Sequence, residues 1–117
     1  MGKLSTHVLD VTRGKPGAGV TVELYAKRNG EMALLRTAVT NQDGRCDKPL
    51  LEGEEMRAGE YELVFGAGDY FAALGVALPA PRFVDRVKIA FGIADPAQNY
   101  HVPLVVSPWS YSTYRGS

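Results

Sequence analysis

Val20-Thr21-Val22-Glu23-Leu24-Tyr25-Ala26-Lys27 sets Val20, Val22, Leu24 and Ala26 against Thr21, Glu23, Tyr25 and Lys27. Successive side chains of a strand point to opposite faces, so this period of two describes a strand with one side in a core and the other facing water. The same period returns at Tyr61, Leu63 and Phe65 against Glu60 and Glu62. It returns again at Val87, Ile89, Phe91 and Ile93 against Lys88, Ala90 and Gly92. Between these runs lie Arg13-Gly14-Lys15-Pro16-Gly17-Ala18-Gly19, Arg28-Asn29-Gly30-Glu31, Asn41-Gln42-Asp43-Gly44 and Asp95-Pro96-Ala97-Gln98-Asn99. Gly, Asn and Pro supply the backbone angles of tight turns. Short strands punctuated this way predict an all-β sandwich or barrel. One short helix is expected, with Asp69 capping a turn through Tyr70, Phe71, Ala72, Ala73 and Leu74 that Gly75 ends. No repeat or linker divides the chain, so residues 1–117 read as a single domain.

The bulk properties exclude several classes of function. Thirteen Lys plus Arg balance thirteen Asp plus Glu, leaving no basic field for a phosphate backbone, so nucleic acid is not an expected partner. Zero net charge also removes a barrier to self-association. The longest apolar stretch, around residues 72–81, is interrupted by Gly75 and Pro79 and falls short of the ~18 residues of a membrane span. With a single cysteine, Cys46, no intrachain disulfide forms. The polar start Met1-Gly2-Lys3-Leu4-Ser5-Thr6-His7-Val8 does not read as a signal peptide, and a cytoplasmic chain is expected. Gly2 and Thr6 fit a loose myristoylation pattern, yet the segment reads better as the start of a strand.

Among the side chains that could carry chemistry, His7 and His101 stand out, since imidazole exchanges protons near neutrality. His7 lies in Leu4-Ser5-Thr6-His7-Val8-Leu9-Asp10 and shares a face with Ser5 and Lys3. His101 opens Tyr100-His101-Val102-Pro103-Leu104-Val105-Val106, with Val102, Leu104 and Val106 on the opposite, core-like face. From spacing alone each reads as an ordinary strand residue. Arg45 follows Asp43-Gly44 at a turn, where a guanidinium fork suits planar oxygens, although a solvated turn arginine looks the same in one sequence. Its charge could favour the thiolate of adjacent Cys46, but no nucleophile motif surrounds that cysteine. Two histidines and a distant cysteine show no ligand spacing, so no metal is expected. The ending Ser107-Pro108-Trp109-Ser110-Tyr111-Ser112-Thr113-Tyr114-Arg115-Gly116-Ser117 carries three large rings in six residues, which suggests docking rather than a loose tail.

Taken together these segments resemble the 5-hydroxyisourate hydrolases of the transthyretin-like family over nearly the whole chain. Leu4-Ser5-Thr6-His7-Val8-Leu9-Asp10 is similar to that family's first-strand motif, Gly14-Lys15-Pro16-Gly17-Ala18 to the turn after it, and Thr40-Asn41-Gln42-Asp43-Gly44-Arg45 to its arginine turn. Gly68-Asp69-Tyr70-Phe71 is similar to its short helix and Tyr100-His101-Val102-Pro103-Leu104 to its histidine strand. Ser112-Thr113-Tyr114-Arg115-Gly116-Ser117 resembles the terminal signature that separates the hydrolases from the transthyretin carriers. Cys46 and Leu78-Pro79-Ala80-Pro81-Arg82-Phe83 depart from the pattern.

The resemblance implies a β-sandwich of two four-stranded sheets with one short helix. It also implies a homotetramer built as a dimer of dimers, with active sites in the channel at the dimer-dimer interface. The implied reaction opens the ring of 5-hydroxyisourate with water at a lactam carbonyl, in urate breakdown, giving 2-oxo-4-hydroxy-4-carboxy-5-ureidoimidazoline without a cofactor. The residues carried over are His7, Arg45 and His101 as catalytic groups, and Tyr114, Arg115, Gly116 and Ser117 at the substrate. A carrier of the same fold would have no use for that set, and the complete terminal signature speaks against a mere interaction module.

Overall fold

The structure, a computed structural model, describes residues 2–116. Its strands in chain order are β1 (Lys3–Ser5), β2 (Val8–Asp10), β3 (Lys15–Pro16), β4 (Thr21–Arg28), β5 (Glu31–Val39), β6 (Leu51–Glu52), β7 (Gly59–Gly66), β8 (Arg86–Ile93), β9 (Tyr100–His101), β10 (Leu104–Val106) and β11 (Tyr111–Ser112). One α-helix, α1 (Ala67–Ala73), follows β7, and a 3-10 turn occupies Gly53–Glu55.

The alternating runs build one antiparallel sheet in the order β5-β4-β7-β8. Asn29 and Gly30 join β4 to β5 with φ of 53° and 79°, and Arg28 pairs with Glu31 across them. Two consecutive positive φ values define the tight turn whose twist suits a hairpin, and Asn-Gly is the pair that adopts it most readily. β5 is the one long strand that the period of two did not predict. The register shifts where Leu24 faces Arg36 and Tyr25 faces Leu34, leaving Leu35 as an extra residue. That bulge sets two leucines side by side and breaks the alternation a sequence reading depends on.

The second layer differs from the single four-stranded sheet expected. It consists of two shorter ladders, β6-β1-β9 and β11-β10-β2-β3. Their central pair is nonetheless continuous: residues 4, 5, 8, 9 and 10 face residues 100, 101, 104, 105 and 106 in one parallel register. Hydrogen bonds of 2.9 Å from Val102 N to the Ser5 carbonyl and 2.8 Å from Leu104 N to the His7 carbonyl carry it across the gap. The ladder is interrupted around Pro103, which has no N–H to give to the neighbouring C-terminal segment.

Leu4, Val8, Tyr100, Val102, Leu104 and Val106 from this layer join Val22, Leu24, Leu63, Phe65, Val87 and Ile89 from the other in one buried cluster. Asp10, fully buried, accepts from Thr12 N at 2.9 Å, Arg13 N at 3.3 Å, Arg13 Nε at 3.2 Å and Tyr70 Oη at 2.8 Å. Those bonds satisfy the carboxylate and tie the end of β2 to α1. Asp69 does not cap the helix. β7 runs directly into α1, so the cap position falls on Gly66, and the Asp69 carboxylate instead accepts from Arg82 Nη1 at 2.7 Å. No helix among the described residues is long and apolar enough to cross a membrane.

Candidate active site

The site begins with the parallel pair formed by residues 3–10 and 100–106. Alternation turns Leu4, Thr6, Val8 and Asp10 inward to full burial, which leaves Ser5 and His7 half-buried on the outer face. The partner strand turns Tyr100, Val102, Leu104 and Val106 inward and His101 outward. Because Ser5 lies opposite His101, their side chains meet, and Ser5 Oγ shares a 2.8 Å hydrogen bond with His101 Nδ1. Thr6 Oγ1 donates to the Val102 carbonyl at 2.6 Å from the inner face, so both sides of the pair are cross-linked.

The arginine turn docks along one edge of this pair. Asn41 organises it: its carbonyl accepts from Gly44 N at 2.9 Å, and its Oδ1 accepts from Asp43 N at 2.9 Å and Arg45 N at 3.2 Å. A side-chain amide closing on the backbone two residues ahead is the Asx turn, a role for Asn41 that the sequence reading passed over. Gly44, at φ 74°, gives its carbonyl to Val8 N at 2.8 Å, and Arg45 forms an antiparallel bridge with His7. A Cβ at Gly44 would collide with the Val8 carbonyl and stand 3.2 Å from His7 Cδ2. Only glycine supplies both the left-handed angle and the room, so Arg45 is delivered beside His7.

The C-terminal segment docks along the other edge. It runs antiparallel to residues 101–106 in one register, pairing Val106 with Tyr111, Val105 with Ser112 and His101 with Gly116. Gly116 N donates to the His101 carbonyl at 2.7 Å, and Thr113 Oγ1 donates to the Pro103 carbonyl at 2.7 Å. Docking is thus through the backbone rather than the rings: Trp109, Tyr111 and Tyr114 stay 60%, 51% and 62% exposed on one chain. Gly116 lies against the His101 ring, where a Cβ would come within 2.9 Å of Cδ2 and 3.3 Å of Cγ. Arg115 points elsewhere. Its Nη2 donates at 3.0 Å to Gln98 Oε1 and the Asn99 carbonyl, while its guanidinium stacks 4.4 Å from the centre of the Tyr100 ring. Ser117 lies outside the described residues.

Across the outer face the order is therefore Arg45, His7, then Ser5 with His101, then Gly116. Burial holds the His101 imidazole below the usual histidine range, and the charges of Arg45 and His7 push it further down. His101 is accordingly neutral near pH 7, with the Arg45 guanidinium close enough to act on it. Cys46 behaves opposite to the expectation from its neighbour: burial and then Asp47 raise its thiol, so thiolate chemistry is not favoured. The cleft of about 520 Å³ beside the arginine turn is lined by Val39, Cys46, Lys48 and Leu50 and excludes both histidines.

A family model described as the HIUase/Transthyretin family matches residues 4–116. This chain belongs to that family. Among members of the HIUase/Transthyretin family, a 5-hydroxyisourate hydrolase of Pseudomonas aeruginosa is 56% identical over 117 residues, covering 100% of this chain and 93% of the relative. The solved 5-hydroxyisourate hydrolase of Klebsiella pneumoniae is 38% identical with a TM-score of 0.80, each chain covered in full. A solved (S)-allantoin synthase reaches a TM-score of 0.94 at 43% identity over 99% of this chain, which spans 44% of that longer protein. The HIUase/Transthyretin fold is the β-sandwich predicted, with its second layer split.

Proposed function

We propose that this chain is a 5-hydroxyisourate hydrolase, opening a lactam bond of 5-hydroxyisourate with water to give 2-oxo-4-hydroxy-4-carboxy-5-ureidoimidazoline in urate breakdown. The observation that carries the reading is the meeting of His7, Arg45 and His101 on one sheet face, with His101 oriented by Ser5 and held neutral by burial and by the Arg45 charge. Hydrolases of that name in the same family, 56% identical in one case, support it.

The chemistry follows from the geometry. Attack on a lactam carbonyl requires a proton acceptor for water, stabilisation of the oxyanion and a proton for the departing nitrogen. His101, neutral and with Nδ1 occupied by Ser5, takes the water proton at Nε2. The burial and the Arg45 charge that disfavour its imidazolium make that imidazolium a ready acid, so the proton passes on to the ring nitrogen as the C–N bond breaks. Arg45, exposed beside His7, holds the substrate carbonyls and offsets the charge on the attacked oxygen. A well-placed donor of this kind contributes about 3 to 4 kcal/mol. His7 orients the attacking water. The tail residues Tyr114, Arg115, Gly116 and Ser117 are assigned to closing the site and excluding other water, with Arg115 clamping the tail to residues 98–100.

In this reading the 117 residues form one catalytic domain that works in the cytoplasm as a homotetramer, a dimer of dimers, with the site in the channel between dimers. The exposed Trp109, Tyr111 and Tyr114 rings and the zero net charge support the assembly. Generating 5-hydroxyisourate from urate with urate oxidase and following its ultraviolet decay tests the activity. Added protein accelerates the decay, and His101→Ala abolishes the acceleration with assembly unchanged. A decay that the wild-type protein leaves unaltered defeats the proposal and favours a carrier of the same fold.

A further inference from the structure

The outer face holds one polar side chain for which the proposed chemistry requires no contact with substrate. Ser5 sits at the end of β1, directly opposite His101, with its hydroxyl 2.8 Å from Nδ1. Among the described residues no other side chain bonds a ring nitrogen of His101, so Ser5 supplies the one hydrogen bond that orients the ring about its Cβ–Cγ bond. From these placements we infer that Ser5 is a positioning residue for the hydrolysis, accepting a hydrogen bond from His101 Nδ1–H so that Nε2, with its lone pair free, is the nitrogen left for the attacking water. The inference rests on the hydrolase reading and extends it to a residue outside the His7, Arg45 and His101 set.

The placement is specific to this register. A parallel pair shifted by one residue would put Thr6 opposite His101, and Thr6 points into the core, where its hydroxyl is spent on the Val102 carbonyl. His101 is held from the other side by Gly116, whose missing side chain lets the tail lie on the ring. Between a hydroxyl on one edge and a glycine backbone on the other, the imidazole has one orientation. A neutral imidazole has two tautomers, and only the one with hydrogen on Nδ1 leaves Nε2 able to take a proton from water. A serine hydroxyl can accept from Nδ1–H or donate to a bare Nδ1, and the accepting role, the one that leaves Nε2 free, is the role inferred for Ser5.

Replacing Ser5 with Ala removes the acceptor without disturbing the backbone bond from Val102 N to the Ser5 carbonyl. In the decay assay S5A should lose about tenfold in kcat with KM little changed, since the substrate contacts remain while the base is misaligned. Ser5→Thr, which keeps the hydroxyl and suits a strand, should restore most of that loss. Ring-nitrogen chemical shifts of His101 give a second readout that does not depend on turnover. The wild-type protein should show the pattern of a single tautomer protonated at Nδ1, and S5A the averaged pattern of both. Wild-type kcat in S5A, or wild-type shifts showing hydrogen on Nε2, overturns the inference. A wild-type protein that fails to accelerate the decay overturns the hydrolase reading instead, while the shifts still decide whether Ser5 selects the tautomer.

Discussion

Gly116→Ala places a single methyl group directly against the His101 ring. The added carbon would stand 2.9 Å from His101 Cδ2, 3.0 Å from Cβ and 3.3 Å from Cγ. Carbon atoms rest at about 3.5 to 4.0 Å, so either the ring or the last turn of tail must give by roughly 0.6 Å. The backbone at residue 116 is tied to His101 by a 2.7 Å hydrogen bond from Gly116 N to the His101 carbonyl, which opposes movement of the tail, and the ring is tied to Ser5 at 2.8 Å. Whichever yields, the histidine loses its alignment or the tail loses its grip. Displacements approaching 1 Å at a reacting group cost on the order of 100-fold, so a loss of about 10- to 100-fold in kcat is expected. Stability should change little, because the residue is half-exposed and near the chain end. The ultraviolet decay assay reads the first quantity and thermal unfolding the second. Full activity in G116A would show that the tail does not constrain His101 and would refute the reasoning.

Further outcomes follow from the same contacts. Arg45→Ala removes a positive charge that holds His101 down, so the imidazole should titrate at higher pH in the variant, whereas Arg45→Lys should keep it low; an unchanged or lower midpoint in an NMR titration contradicts this. Activity of the wild-type protein should fall on acidification only below the ordinary histidine value of about 6.5, since the neutral ring is the working form and its protonation is delayed to lower pH. Asp10→Ala leaves Tyr70 Oη and the amides of Thr12 and Arg13 without their acceptor, and denaturant unfolding should register a loss of about 3 kcal/mol. Arg115→Ala should speed amide exchange at Gly116, whose N–H bonds the His101 carbonyl, and deletion of residues 114–117 should abolish turnover with the fold retained, as measured by circular dichroism.

Local chemistry along the chain decided more of this protein than its length suggests. The period of two over residues 20–27, 60–65 and 87–93 predicted β4, β7 and β8, because a half-buried strand must alternate and nothing else in those segments competes. Asn29-Gly30 announced its turn because few other pairs tolerate two positive φ values. β5 escaped, since a bulge at Leu35 shifts the alternation by one residue, and that register is set by the neighbouring strand rather than by β5 itself.

At the site the sequence supplied the residues through motif likeness, and alternation correctly put His7 and Ser5 on one face. It could not supply their meeting. Ser5 and His101 are 96 positions apart, and only the parallel register of two distant strands makes them partners. Asn41 as the organiser of the arginine turn was visible in principle from its place before Asp43-Gly44. The tail's aromatic rings suggested docking by side chain, while the fold docks it by backbone and leaves the rings in water on a single chain. Strand propensity is local and can be read from neighbours in sequence. Pairing, which brings an imidazole to a hydroxyl and a guanidinium, is a property of the folded sheet, where contacts depend on register between segments that the chain order does not relate.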